Sequence, residues 1–355
     1  MAALPAAALG ACGYGSEATK GSVSGPAPRP GAKELSAREV RIGYFGTVVQ
    51  ATALVGIGEG HFAAELGGTR IRAQVFNAGP AEIEALNAGS VDIGWIGPSP
   101  AVNGYARSGG RNLRIISGSA SGGVSLVVDP AKIGTAADVK GRRIATPQLG
   151  NTQDVALLHW ITAQGWSVDG RSGRGDVTVI RQDNKEIPGS FLRGSVDGAW
   201  VPEPTAARLV ADGGKVLLHE RDQWRGGRFA VTNVIASQRF LTEHPDVVEA
   251  VLRGSVRTNA WIRGHPDRAG AAVNAQLERL TGRKLPAPVL RHAFADVAVL
   301  YDPLAATLRI QTERAVRAGM TEAPDLNGIY DLRPLNRVLR DRGLDPVDDT
   351  GLGIE

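Results

Sequence analysis

The chain has 355 residues, long enough for two domains of ordinary size, each with its own core. It is 43% hydrophobic and 21% charged with a net charge of +4. Its basic runs, 111-RNLR-114 and 140-KGRR-143, are short and carry no interleaved aromatics, which argues against a nucleic-acid groove. The one cysteine, Cys12, excludes an internal disulfide framework and a cysteine-based metal cluster.

The first predicted element is not part of the fold. Residues 1–12, MAALPAAALGAC, form an apolar tract with Leu9, Gly10 and Ala11 just ahead of the Cys. That resembles the lipobox of bacterial lipoproteins, in which the Cys is cut free and lipid-modified; the bland alternative is an Ala-rich start with an incidental Cys. Residues 13–39 open rich in Gly, Ser and Pro, a flexible tether. The folded part is expected to begin near Val40.

Strands are expected at 40–44, 71–76, 91–96, 113–117, 124–128, 143–145, 177–180, 196–201, 215–218 and 230–236, with helices between them. The clearest helix is 153–165, with Val155, Leu158 and Ile161 on one face, Asp154 in the first turn and Gly165 closing it. Strands alternating with helices predict parallel α/β sheets. From Leu241 the character becomes helical: one long helix beginning at Pro245, then helices over 268–282, 287–298 and 303–319.

One sentence of this sequence is written twice. The stretch 89-GSVDIGWIGPSP-100 shares five residues of twelve with 194-GSVDGAWVPEPT-205 at an offset of 105 (194 − 89). The segments before them align without a gap as short β run, polar turn, helical patch and Gly stop. The reading is a duplicated unit with one copy in each of two lobes. Residues 40–126 with 233–330 form the first lobe, 127–232 the second, and 331–355 a C-terminal tail. Two crossings, near 124–129 and 230–237, join the lobes as a hinged clamp.

In open α/β sheets ligands bind beyond the carboxyl ends of the strands, where each copy places its turn. In the first, Ser99 is expected just ahead of a helix with Pro100 at its first position. In the second, Asn151 and Thr152 are expected as caps. Helix N-termini offer free N–H donors to an anion, although such residues cap helices whether or not a ligand binds. The run 117-SGSASGG-123 reads as a small-residue loop that lets backbone approach a ligand. Trp95 and Trp200 read either as core or as pocket lining, with Trp200 the better lining candidate. Glu203, between Pro202 and Pro204, reads as a turn carboxylate or as a cleft group.

At these residues the chain resembles the substrate-binding proteins of ABC importers for nitrate, taurine and aliphatic sulfonates, the NMT1/THI5-like group. The resemblance rests on IGY at 42–44, LNAGSVDIGWIGPSPAV at 86–102, GNTQDVAL at 150–157 and DGAWVPEPTAARL at 197–209. It implies a periplasmic-binding-protein type II fold, two Rossmann-like lobes with the ligand in the cleft between them. Carried over by position, ligand contacts would come from Phe45, Gly46, Thr47, Pro98, Ser99, Ser121 and Gly122. Asn151, Thr152, Gln153, Trp200, Glu203, Thr232 and Asn233 would complete the set.

It further implies a monomer that delivers a small anionic organic solute, an alkanesulfonate or taurine-like compound, to a permease and its ATPase. The protein would be held on the outer face of the cytoplasmic membrane by a lipid on Cys12. A nitrate or bicarbonate ligand, a heterocyclic vitamin precursor and a lipid-anchored sensor remain alternatives. No cofactor and no metal is expected. A thiamine-pyrimidine-synthase-like enzyme would need a cysteine-rich motif that this chain lacks. There is no G-x-S-x-G, H-E-x-x-H or P-loop, and the six His (61, 159, 219, 244, 265 and 292) read as surface or satisfied-core residues.

Overall fold

A computed structural model describes residues 34–354; Cys12, the expected lipobox and most of the expected tether lie outside them. In chain order the elements are β1 (Glu39–Phe45), α1 (Ala51–Gly58), α2 (His61–Leu66), β2 (Arg70–Phe76), α3 (Gly79–Asn87), β3 (Ile93–Ile96), α4 (Pro98–Arg107), β4 (Leu113–Gly122) and β5 (Val124–Val128). Then come β6 (Arg143–Thr146), α5 (Thr152–Ala163), β7 (Thr178–Arg181), α6 (Ile187–Leu192), β8 (Gly198–Pro202), α7 (Thr205–Ala211), β9 (Lys215–His219) and β10 (Thr232–Ser237). The chain closes with α8 (Gln238–Glu243), α9 (Pro245–Gly264), α10 (Pro266–Thr281), α11 (Ala287–Ala295), β11 (Val297–Val299), α12 (Ala305–Arg317) and α13 (Arg333–Asp341).

The strands form two sheets, ordered β11-β4-β10-β3-β1-β2 and β7-β6-β8-β5-β9; each sheet with its helices is called a lobe below. The expected all-parallel pairing holds only for β2-β1-β3 and β7-β6-β8. Beyond each parallel trio lies a strand of opposite direction, β10 against β3 and β5 against β8. These are the strands next to the crossings. A chain entering a sheet directly from the other lobe has no helical crossover to turn it parallel, so it pairs antiparallel.

Apolar residues on β1–β4, α1, α2, α4 and α9 make the first lobe's core, and two clusters cover opposite faces of the second sheet. Helices α1 and α9 run together because α1 is apolar all round, ATALVGIG, and needs cover on every side.

Several expectations change. The fold begins before Val40, since the Ser36 amide donates to Asp246 Oδ2 at 2.8 Å. The long helix expected with Pro245 in its first turn is α9, and the residues from Leu241 before it belong to a separate helix, α8, which ends before His244 because proline withholds the N–H that would continue it. The end of the helix expected over 287–298 is strand β11, which pairs with β4. The run 117–123 belongs mostly to β4 rather than to a loop. Of the expected tail, residues 331–354 pack on the first lobe: Leu335, Val338, Leu339 and Leu352 sit in its core. Among the described residues no helix is long and apolar enough to cross a membrane.

Candidate functional site

The repeated sentence has a structural meaning. In the first copy Asp92 accepts from the Arg41 backbone N–H at 2.8 Å and from its guanidinium, while the same guanidinium reaches the carbonyl of Gly89. In the second copy Asp197 accepts from the Arg143 backbone N–H at 3.0 Å and from its side chain, which donates to the carbonyl of Gly194 at 2.7 Å. G-S-V-D thus supplies a turn carbonyl and a carboxylate that grip an arginine on the neighbouring strand, locking β1 to β3 and β6 to β8. Burial alone would raise the Asp197 carboxyl; hydrogen bonds from Arg143 and Lys132 overcome it and hold it at about 2.

With the strands locked at one end, their other ends form two jaws. The first jaw is tied by Gln50. Its Oε1 accepts from the Phe45 amide at 2.7 Å, and its Nε2 donates to the Trp95 carbonyl at 2.7 Å. The second jaw is tied by Asp154, buried and gripped by Arg181 at 2.8 Å; the Asp154 carboxylate also accepts from Thr146 Oγ1 and the Gly150 amide. Burial pushes the Asp154 carboxyl up despite the Arg181 pairing.

Between the jaws lies a cleft of about 340 Å³, counting its open mouth. Phe45, Thr47, Gly97, Asn151, Thr152, Gln153 and Thr232 line it together with Val49, Gln50, Asn184, Pro202 and Val231. The jaws touch: the Val48 amide donates to the Glu203 carbonyl at 2.9 Å across the lobes, and the Ser99 amide faces Thr152 Oγ1 at 3.4 Å. Thr47 Oγ1 is buried with no hydrogen-bond partner among the described residues. Among the described residues no Lys, Arg, His, Asp or Glu lines the cleft. An anion there would be met by hydroxyls, amides and backbone N–H groups alone, in surroundings where such donors count for more than in water.

Of the residues named from the sequence, Phe45, Thr47, Asn151, Thr152, Gln153 and Thr232 line the cleft. Pro98 and Ser99 face a smaller adjoining recess with Val102 and Gln311. Ser99 is inside its helix rather than ahead of it, since α4 starts at Pro98 with Gly97 as its cap. Asn151 caps α5 and Thr152 is its first residue. Gly46 faces Leu277 and Leu280 of α10. Asn233, beside Thr232 on β10, is wholly buried, with neither end of its amide partnered among the described residues.

Four more expected residues lie off the cleft lining. Trp200 is 1% exposed in the second lobe's core beside Trp160, its indole N–H donating to Glu220 at 2.8 Å. Ser121 accepts from the Phe229 amide, and Gly122 lies under the backbone of Asp296. Glu203 uses its backbone for the jaw contact. Its carboxylate accepts from the Ala207 amide at 3.0 Å and lies near His292 and Asp296, outside the cleft lining. Burial, and then the charge of Asp296, push the Glu203 carboxyl up to about 7.

Sequence reasoning missed Gln50 and Asn184. Gln50 had a signal, a lone amide within the apolar run VVQATALVG. Asn184 had none, because only the approach of the second jaw brings it to the cleft.

The fold and this cleft define a two-lobed α/β binding architecture. Residues 33–277 match the model of the NMT1-like family, and the chain belongs to that family. It is 27% identical over 209 residues to the taurine-binding periplasmic protein of Escherichia coli (strain K12), an alignment covering 58% of this chain and 61% of that protein. The chain therefore spans about six tenths of that relative's length.

Two solved structures share the fold. The alkanesulfonate-binding protein of Xanthomonas axonopodis pv. citri bound to MOPS superposes with a TM-score of 0.65 at 23% identity, covering 80% of this chain and 94% of that one. The periplasmic nitrate-binding protein of Synechocystis PCC 6803 superposes with a TM-score of 0.65 at 13% identity, covering 82% and 84%. The expected periplasmic-binding-protein type II architecture is the one found.

Proposed function

We propose that this protein is an extracytoplasmic solute-binding component of an ABC importer that captures a small organic sulfonate in the inter-jaw cleft and performs no covalent step. The observation that carries the reading is the cleft itself: jaws in contact, a lining of neutral donors and a buried, unpartnered Thr47 hydroxyl. The descriptions of the relatives, taurine-binding and alkanesulfonate-binding, point to the same ligand chemistry.

The carboxylate of Glu203 lies outside the cleft lining and no other acid among the described residues lines it, so an ammonium group would find no counter-charge from them there. A plain alkanesulfonate is therefore the better ligand and taurine the poorer one. Ligand binding favours the closed jaws over an open form and so presents a closed monomer to a permease and its ATPase. Attachment to the outer face of the membrane through a lipid on Cys12 belongs to the same proposal.

Calorimetry and thermal shift test the ligand with ethanesulfonate, taurine, sulfate, nitrate, bicarbonate and an aminopyrimidine. Ethanesulfonate should raise the unfolding midpoint, since a ligand that binds only the folded state stabilises it by mass action, and taurine should raise it less. Thr47→Val should weaken ethanesulfonate binding roughly tenfold, the worth of one well-placed hydrogen bond. Binding of nitrate or the pyrimidine without any sulfonate would overturn the substrate class. An equal response to taurine would overturn the argument from Glu203.

A further inference from the structure

Outside the cleft, one group of side chains is brought together only by the contact of the two lobes. Glu203 follows β8 of the second lobe. His292 and Asp296 lie one helical turn apart at the end of α11, just before β11 of the first lobe. One ligand atom from each of the three lies within 4.8 Å of the others. Helix α11 packs on α10 of the first lobe and on α7 of the second, so the group sits where the lobes meet.

We propose that Glu203, His292 and Asp296 form a divalent-cation site that spans the two lobes. An imidazole with two carboxylates is the ligand set of zinc rather than of calcium or magnesium, which favour oxygen throughout. Three protein ligands leave a fourth position for water. Zinc-bound atoms about 2 Å from the metal lie roughly 3.3 Å apart, so the group must draw in by an ångström or so. Exposed His292 has room to make that movement. Glu203 is held in place by its amide contact with Ala207.

Asp296 is supported from outside the group: Arg221 pairs with one of its oxygens, and His219 Nδ1 lies 3.4 Å from the other. Each carboxylate oxygen keeps a further lone pair for a metal. Outer partners of this kind orient a ligand as second-shell groups do in known sites. Because the ligands come from both lobes, a bound cation favours the closed form. By linkage it tightens whatever the closed cleft binds.

The test needs no knowledge of the solute. The chain is titrated with zinc against a chromophoric competitor, and with cobalt while the visible spectrum is followed. We expect one zinc per chain and a cobalt spectrum of a low-coordinate N/O site. His292→Ala and Asp296→Asn should each weaken zinc by more than about tenfold. His265→Ala, on an exposed histidine elsewhere, should leave binding unchanged. His292 is exposed, so its loss should leave the circular dichroism as it was. Zinc should also raise the thermal midpoint of the native chain and not that of His292→Ala. Absence of stoichiometric zinc binding, or equal binding by His292→Ala, overturns the proposal. If zinc binds while no sulfonate does, the cation site stands and the importer reading falls.

Discussion

The two lobes carry the same clamp around different interiors. In each, the register pairs one residue of the arginine-bearing strand with one from the strand after the repeated turn: Gly43 with Gly94, and Ala145 with Ala199. Above the glycine pair lies Glu82 of α3, fully buried, with neither carboxylate oxygen partnered among the described residues. Above the alanine pair, at the position 105 residues on, lies Ile187 of α6, sharing a core with both alanines. A β-carbon at Gly43 would lie 2.5 Å from Glu82 Oε1, and one at Gly94 would overlap the same oxygen. The glycines exist because of the carboxyl. One lobe uses Gly, Gly and Glu where the other uses Ala, Ala and Ile. Burial drives the Glu82 carboxyl well above the usual carboxylate range.

Exchanging these trios gives the largest effect. Ile187→Glu should cost about 4 kcal/mol or more, because it buries a polar group without a partner and without the glycines that make room for one. The reverse exchange in the first lobe, Glu82→Ile with Gly43→Ala and Gly94→Ala, should raise stability by about 2 kcal/mol. Gly94→Ala alone should lower it. Denaturant midpoints of the three variants check this. A stable Ile187→Glu protein would show that the lobes tolerate a carboxyl equally.

The clamps predict a smaller asymmetry. Asp197 is also paired with Lys132 at 2.9 Å, whereas Asp92 has no ion-pair partner among the described residues other than Arg41. Arg41→Ala strands a buried carboxylate and should cost about 3 kcal/mol, while Arg143→Ala should cost about half of that. Both arginines are partly exposed, 30% and 46%, which keeps the losses below those of a fully buried pair. Equal losses would mean that Lys132 contributes nothing.

The smallest effect is a pH dependence from Glu220, which accepts from the Trp200 indole. Burial lifts its carboxyl to about 7 from an ordinary 4.5. The folded state therefore keeps a proton that the unfolded state gives up. Its stabilising contribution is complete below pH 4.5, declines as pH rises to 7 and is lost above that. Glu220→Gln keeps an acceptor for the indole and should flatten the fall in thermal midpoint between pH 5 and 7.5. An unchanged slope would place the dependence on other groups.

Much of the architecture was legible. The order of strands and helices, the duplicated unit and the division of cleft residues between two jaws were all readable. Turn residues and apolar periodicity act within a few positions of one another, so they survive in the sequence. The ends of elements were less so. The short strand Val297–Val299 continues the pattern of α11 and becomes a strand only because β4 offers it an edge. Trp200 and Glu203 went astray for a related reason. Trp200 was placed correctly on a strand, though at its middle rather than its end, and Glu203 just after it, but the direction of each side chain is decided by its partners: Glu220 for Trp200, and Ala207 with the α11 region for Glu203.

The sequence by itself determined that two similar α/β units exist, and it wrote G-S-V-D wherever a strand needed clamping. Tertiary structure alone decided which arginines those aspartates hold and which strands run antiparallel. It also decided that Glu203 meets His292 and Asp296 across the lobes. These contacts join residues tens to more than a hundred positions apart. No local spacing records them, and they appear only when burial of the apolar faces brings distant segments together.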